Sequence, residues 1–135
     1  MISVVIPNYN DPRIENTLKS ITEQNTNFYE IILVEACVNN NLTKPIYKKY
    51  KKFIHKLIVE KDEGLFFGIN KGLQLVKGEI VLIIGSDDYL SHNDIFKKVL
   101  EMFKDSDVHG VCLDCVFVDS RNKVVRKWKT KKITK

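Results

Sequence analysis

The sequence predicts an α/β domain built on a mainly parallel sheet flanked by helices, with a β-hairpin at its C-terminal end. Three observations carry that reading. Four short runs, Ile2 to Ile6, Glu30 to Val34, Lys56 to Val59 and Glu79 to Ile84, are continuous and rich in Ile, Val and Leu, as strands covered on both faces should be. Amphipathic stretches separate them, and strands alternating with helices imply right-handed crossovers between parallel neighbours. From Val111 the alternation stops. A run to Val118, a turn over Asp119-Ser120-Arg121-Asn122 and a run from Lys123 to Trp128 read as a hairpin on the sheet.

Taken in order, the first strand is followed by a helix expected from about Pro12, with Asp11 as N-cap, Pro12 in the first turn, and Ile14, Leu18 and Ile21 on one face. A second helix is expected over Leu42 to Lys52, its lysines on the polar side. A third covers Phe66 to Val76, with Ile69, Leu73 and Val76 inward and Lys77-Gly78 closing it. Ser91 to Asp94 offers a cap for a fourth helix, Ile95 to Phe103.

With 135 residues, 44% hydrophobic and 29% charged, the chain is the size of one ordinary globular domain, which sets aside disorder and collagen. The longest apolar run, Ile80 to Ile84, falls far short of the roughly 20 residues that span a bilayer. The N-terminus lacks a basic n-region and a small-residue cleavage site, and three cysteines suit a reducing compartment, so a cytoplasmic location is expected. Cys112 and Cys115 form a C-x-x-C inside an apolar run read as a strand, where i and i+3 point to opposite faces; a zinc site is disfavoured. The net charge of +5 is uneven. Residues 120–135 hold eight of the 22 basic side chains and no acid, which leaves fourteen basic against seventeen acidic, net −3, for residues 1–119. We therefore draw a domain over 1–119 and a basic hairpin strand and tail over 120–135. Such a tail can touch an anionic membrane surface, although a solvated tail is the commoner outcome, and nucleic-acid binding is disfavoured.

Ligands of open α/β sheets sit beyond the carboxyl ends of the strands. Asn8, Tyr9, Asn10, Glu35, Asp62, Ser86, Asp87 and Asp88 all fall there. The adjacent carboxylates Asp87 and Asp88 end the most apolar strand, and Mg²⁺ commonly takes one or two carboxylates plus substrate phosphates. Ser86 to Asp88 would equally serve as a cap for the next helix. Neither G-x-G-x-x-G nor G-x-x-x-x-G-K-[ST] occurs, which argues against an NAD enzyme and a P-loop NTPase. No G-x-S-x-G is present either. Gly64, Gly68 and Gly72 recur every four residues, as small residues do where a helix packs closely, while Asn70 and Lys71 near them could face a phosphate.

Four segments, Ile2-Ser-Val-Val-Ile-Pro-Asn-Tyr-Asn10, Glu30-Ile-Ile-Leu-Val-Glu35, Glu60-Lys-Asp-Glu-Gly-Leu65 leading into Asn70-Lys-Gly-Leu73, and Lys77-Gly-Glu-Ile-Val-Leu-Ile-Ile-Gly-Ser-Asp-Asp88, resemble the N-terminal half of glycosyltransferase family 2, in order and at family spacing. The resemblance implies a GT-A (Rossmann-like) fold that binds a nucleotide-diphosphate sugar and passes the sugar, with inversion, to the hydroxyl of a glycan or lipid-linked acceptor in polysaccharide or glycoconjugate synthesis, using Mn²⁺ or Mg²⁺. It places the base on Pro7 to Asn10 with Tyr9 stacking, Glu35 against base or ribose, Asp62 at the base edge, and Asn70 and Lys71 beside the diphosphate. Asp87 matches the metal-binding acid of Asp-x-Asp, with Ser86 and Asp88 beside it. Asp114, near a family aspartate on the acceptor side, is the candidate catalytic group. Gly85 departs from the pattern, standing where a first acid or Asn is expected. That departure favours an alternative, a truncated, catalytically inactive module that retains nucleotide-sugar recognition.

Overall fold

The structure, a computed structural model, describes residues 1–130; Lys131, Lys132 and Lys135 of the expected basic tail lie outside them. The chain divides into two compact units, Met1–Leu100 and Glu101–Lys135.

In the first unit, β1 (Ile2–Asn8), β2 (Tyr29–Glu35), β3 (Lys56–Val59) and β4 (Ile80–Ile83) form a sheet in the order β3-β2-β1-β4, every pair parallel. All residues of β1 and β2 are buried, which is why both read as unbroken apolar runs. β3 and β4 are half-buried or exposed throughout. The expectation that all four strands are covered on both faces fails there because the helices cover the middle of the sheet and each edge strand has one neighbour only.

Register assigns the faces. Ile2, Val4 and Ile6 lie opposite Tyr29, Ile31 and Leu33, and they join Ile14, Leu18 and Ile21 of α1 (Ile14–Thr22), Ile46 and Tyr47 of α2 (Lys44–Lys49), and Phe96 of α4 (Ile95–Met102) in one core. Tyr29 and Phe96 meet edge to face with ring centroids 5.4 Å apart, a contact worth about 0.5–1.5 kcal/mol beyond its area. α1 starts at Ile14 with Arg13 at its N-cap and no side-chain cap; Asp11, expected there, instead closes the preceding turn, its Oδ1 accepting the Arg13 N–H at 2.9 Å. The cap expected from Ser91 to Asp94 is supplied from elsewhere: Gln24 Oε1 accepts the Phe96 N–H at 3.0 Å, while Gln24 Nε2 donates to the His92 carbonyl at 2.7 Å.

The opposite face, with Val5, Pro7 and Val34, is covered by α3 (Leu65–Leu73). Its buried residues are Gly68 and Gly72, and a Cβ at Gly72 would collide with Val5. The inward side is therefore the glycine stripe, whereas Leu73, expected inward, is 36% exposed. Close backbone approach replaced the side-chain packing that the apolar spacing implied.

In the second unit, β5 (Cys115–Val118) and β6 (Val124–Trp128) pair antiparallel. Asp119 Oδ1 holds the turn by accepting the Arg121 and Lys123 N–H groups at 2.8 and 2.9 Å. The hairpin is a two-stranded sheet of its own rather than an addition to the four-stranded sheet, its two short strands hydrogen-bonded to each other. The strand begins at Cys115, so the alternation argument applied to Cys112 does not hold; Cys112 precedes it. No helix among the described residues is long and apolar enough to cross a membrane.

Candidate functional site

The register that sets Asn8 opposite Glu35 brings the carboxyl ends of β1 and β2 together. Glu35 is fully buried, and a buried carboxylate is costly unless donors surround it. Five do. Oε2 accepts Asn8 Nδ2 at 2.8 Å, Thr43 Oγ1 at 2.9 Å and Tyr47 Oη at 2.6 Å; Oε1 accepts the backbone N–H of Asn10 at 2.8 Å and of Cys37 at 2.9 Å. Burial, and then the neighbouring Glu35, push the Tyr47 phenol far above its ordinary pKa, so it stays a donor. The sequence reading set Glu35 against base or ribose. In the structure it lies beneath the loops with both oxygens engaged, and it holds Asn10 and Cys37 in place from below. Above it Tyr9 stands 73% exposed. Asn8 Oδ1 is buried without a partner among the described residues.

At the start of α3, Gly64 has φ +129°, a conformation open to glycine, and its N–H donates to Asp62 Oδ1 at 3.0 Å. The absent Cβ of Gly68 marks a point 3.0 Å from Asp62 Oδ2 and 3.7 Å from Pro7 Cβ. Asp62 and Pro7 thus meet over the same backbone. Asn70 is exposed. The Lys71 ammonium lies 2.5 Å from Glu60, so in this arrangement it is engaged at the end of β3 and not by the Asp87–Asp88 loop.

After β4 the chain turns through Gly85 to Asp88, with the Asp88 N–H on the Gly85 carbonyl at 3.1 Å. Thr17 Oγ1, buried on α1, lies 3.0 Å from the Ser86 carbonyl oxygen and 2.6 Å from that of Asp88, fixing the loop from below. The Asp87 and Asp88 side chains converge: a Cβ at Gly85 would sit 3.1 Å from an oxygen of each. Burial, and then the charge of Asp87, raise the Asp88 pKa above its ordinary value, the signature of two carboxylates short of a counter-charge. Arg13 Nη1 supplies a partial one, 3.4 Å from Asp87. Capping is not the loop's function, since α4 begins only at Ile95. No group of three or more His, Cys, Asp or Glu positioned for a metal exists among the described residues, yet two convergent carboxylates fit a hard divalent cation that takes its remaining oxygens from a diphosphate and water.

Pro7, Tyr9, Asn10, Glu35, Asp62, Asn70, Lys71, Ser86, Asp87 and Asp88 all belong to the first unit. Asp114 belongs to the second, where the N–H of Thr130 at 2.8 Å, and then its hydroxyl at 2.9 Å, lower the Asp114 pKa. Sequence reasoning missed Thr43 and Tyr47 as partners of Glu35, and Arg13 and Thr17 as supports of the aspartate loop. The Thr43-x-x-x-Tyr47 spacing was the available signal, hidden in a lysine-rich stretch read as a polar face.

The profile of the family described as glycosyl transferase family 2 matches residues 3–134; the chain belongs to that family. It is 30% identical over 110 residues, 78% of its length and 43% of the relative's, to the putative teichuronic acid biosynthesis glycosyltransferase TuaG of Bacillus subtilis. Among solved structures it is similar to S. aureus TarS in complex with UDP-GlcNAc, with 28% identity and a TM-score of 0.66 over 76% of this chain and 31% of that one. The mannosyltransferase PcManGT from Pyrobaculum calidifontis, solved with GDP-Man and Mn²⁺, matches at 24% identity with a TM-score of 0.70 over 79% of this chain and 33% of that one, a likeness of fold. The parallel sheet with flanking helices is the GT-A architecture expected from the sequence. The chain spans less than half the length of the curated relatives it matches.

Proposed function

We propose that this chain binds a nucleotide-diphosphate sugar over the carboxyl ends of β1, β2 and β4 and transfers the sugar to an acceptor hydroxyl in polysaccharide or glycoconjugate synthesis. The convergence of Asp87 and Asp88 over side-chain-free Gly85 carries the reading, and membership of the family and the likeness to a UDP-GlcNAc-bound relative support it. Asp87 and Asp88 would hold Mn²⁺ or Mg²⁺, which when bound stabilises charge growing on the leaving diphosphate.

The rest is the work of this chain's own groups. Tyr9 offers its exposed ring to the base, Asp62 and Pro7 flank it, and Glu35 acts through the Asn10 and Cys37 amides. Lys71 can exchange Glu60 for a phosphate cheaply, since surface ion pairs are worth about 0–1 kcal/mol. In this reading residues 1–119 are the donor-binding part, Asp114 serves the acceptor side, the reaction inverts, and the basic tail from 120 onward meets a membrane surface where a lipid-linked acceptor is presented.

Calorimetric titration with UDP- and GDP-sugars, with and without Mn²⁺, tests the reading. We expect metal-dependent binding that Asp87→Asn weakens at least about tenfold, the cost of one charge-assisted contact. Binding indifferent to both metal and substitution would refute it. A second reading, a module that binds the donor without turnover, is favoured by Gly85, which leaves two carboxylates where three polar groups are expected; binding without sugar release or transfer would establish it.

A further inference from the structure

We propose that the groove between α2 and the edge strand β3 seats anionic lipid at a bilayer surface. The groove has a volume of about 960 Å³, and its lining includes Ile54, Leu57 and Val59. Leu57 and Val59 are 45% and 40% exposed; their register opposite Leu33 and Glu35 puts them on the α2 side of the sheet, two residues apart and therefore side by side. Large aliphatic side chains in a concave, open site make an unpartnered apolar surface that water covers poorly.

The rim carries the opposite chemistry. Lys44 and Lys48 of α2, and Lys51 in the turn that follows, line the same groove, at spacings of four and three residues that align them on one side of the helix. None of the three has an ion-pair partner among the described residues, whereas Lys49 is held by Glu15. Between Glu35 and Glu60 the sequence has six lysines and no acid. An apolar floor under a cationic rim is complementary to an amphiphile with an anionic head. Phosphodiester head groups meet the lysines while the acyl boundary lies against Leu57 and Val59. This seat is independent of the donor reading and of the basic tail.

The full chain is sedimented with vesicles of phosphatidylcholine alone and of phosphatidylcholine with about one third phosphatidylglycerol. We expect binding to the anionic vesicles only. Reversing Lys44, Lys48 and Lys51 to Glu together should weaken it about a hundredfold, at roughly a factor of five or more per lysine, and Leu57→Asp with Val59→Asp at least about tenfold. Lys127→Glu with Lys129→Glu, in the tail set at the same surface above, should weaken it by much less than the α2 triple variant. Circular dichroism verifies folding, and a Lys→Gln triple variant, milder to the fold, should weaken binding in the same direction. The proposal is overturned if the triple variants bind like the parent, or if only the 127/129 pair loses binding. Charge loss acting while the Leu57/Val59 pair is silent overturns it too. So does uptake of monomeric dodecyl phosphate, or of an acidic amphipathic peptide, without vesicle binding.

Discussion

Glu30 and Glu35 sit five residues apart on β2, both buried and both hydrogen-bonded, at opposite ends of the same sheet. At the amino end Glu30 Oε1 accepts the Ser3 hydroxyl at 2.6 Å and the Lys77 N–H at 2.7 Å, and Ser3 Oγ in turn accepts the Gly78 N–H at 2.8 Å. That cluster clips β1, β2 and the approach to β4 together. Burial alone would raise the Glu30 pKa, but the donors from Ser3 and Lys77 more than offset it and hold it below the ordinary value. At the carboxyl end the donors to Glu35 are Asn8 at the end of β1, the backbone of two loops, and a threonine and a tyrosine one helical turn apart, so one carboxylate ties the loops on either side to β1 and α2. The same residue type makes a joint at one end and a platform at the other. What separates them is reach: Glu30 joins β1 to the approach to β4, whereas Glu35 also gathers two loop amides and the side chains of Thr43 and Tyr47.

The comparison breaks most visibly at Glu35. Glu35→Ala orphans five donors and should lower the unfolding free energy by about 3–5 kcal/mol, read by denaturant titration; a loss under about 1 kcal/mol would mean that the platform is not built on this residue. Gly72→Ala is the packing control on the far face. Its Cβ meets Val5, and overpacking should cost about 1–3 kcal/mol without altering nucleotide affinity per folded molecule.

Glu30→Gln should cost about 1–2 kcal/mol near neutral pH, with a pH signature. Because the folded pKa is depressed, the carboxylate's contribution is complete above the unfolded value of 4.5 and is lost as pH falls through the folded one. The gap between parent and variant should therefore close below about pH 4.5. Asp88→Asn should have the smallest effect on stability, neutral or slightly positive at neutral pH, since it relieves a raised, desolvated carboxylate beside Asp87. On the proposed metal-binding reading it should nevertheless reduce Mn²⁺ affinity, read by calorimetric titration.

The two central strands are plain in the sequence because burial on both faces leaves an unbroken Ile and Val signature, and the carboxyl-end rule then gathers Asn10, Glu35, Asp62 and Asp87 at one end of a sheet. Edge strands blurred the picture: Lys56 to Val59 reads as apolar as a central strand, and nothing in four residues says that a neighbour is missing. Glycines hid the inner side of α3, where the apolar spacing set Leu73 inward and Gly68 and Gly72 are the buried residues instead. The Glu35 platform was illegible for another reason. Its partners Thr43 and Tyr47 are an ordinary N-cap and an ordinary helix residue, and only the packing of α2 on the sheet turns them into ligands of a carboxylate.

The order β3-β2-β1-β4 carries a consequence for how the chain is made. Of these four strands β1 leaves the ribosome before the others and acquires one flank when β2 follows, but its other flank, where Ile2 to Val5 pair with the parallel run Ile80–Ile83, must wait until that run has been synthesised. Contacts of such long sequence separation are slow to close. A strand buried along its whole length in the finished fold therefore spends the longest half-covered, and nascent-chain handling rather than final stability becomes the step at which edge-to-edge association competes.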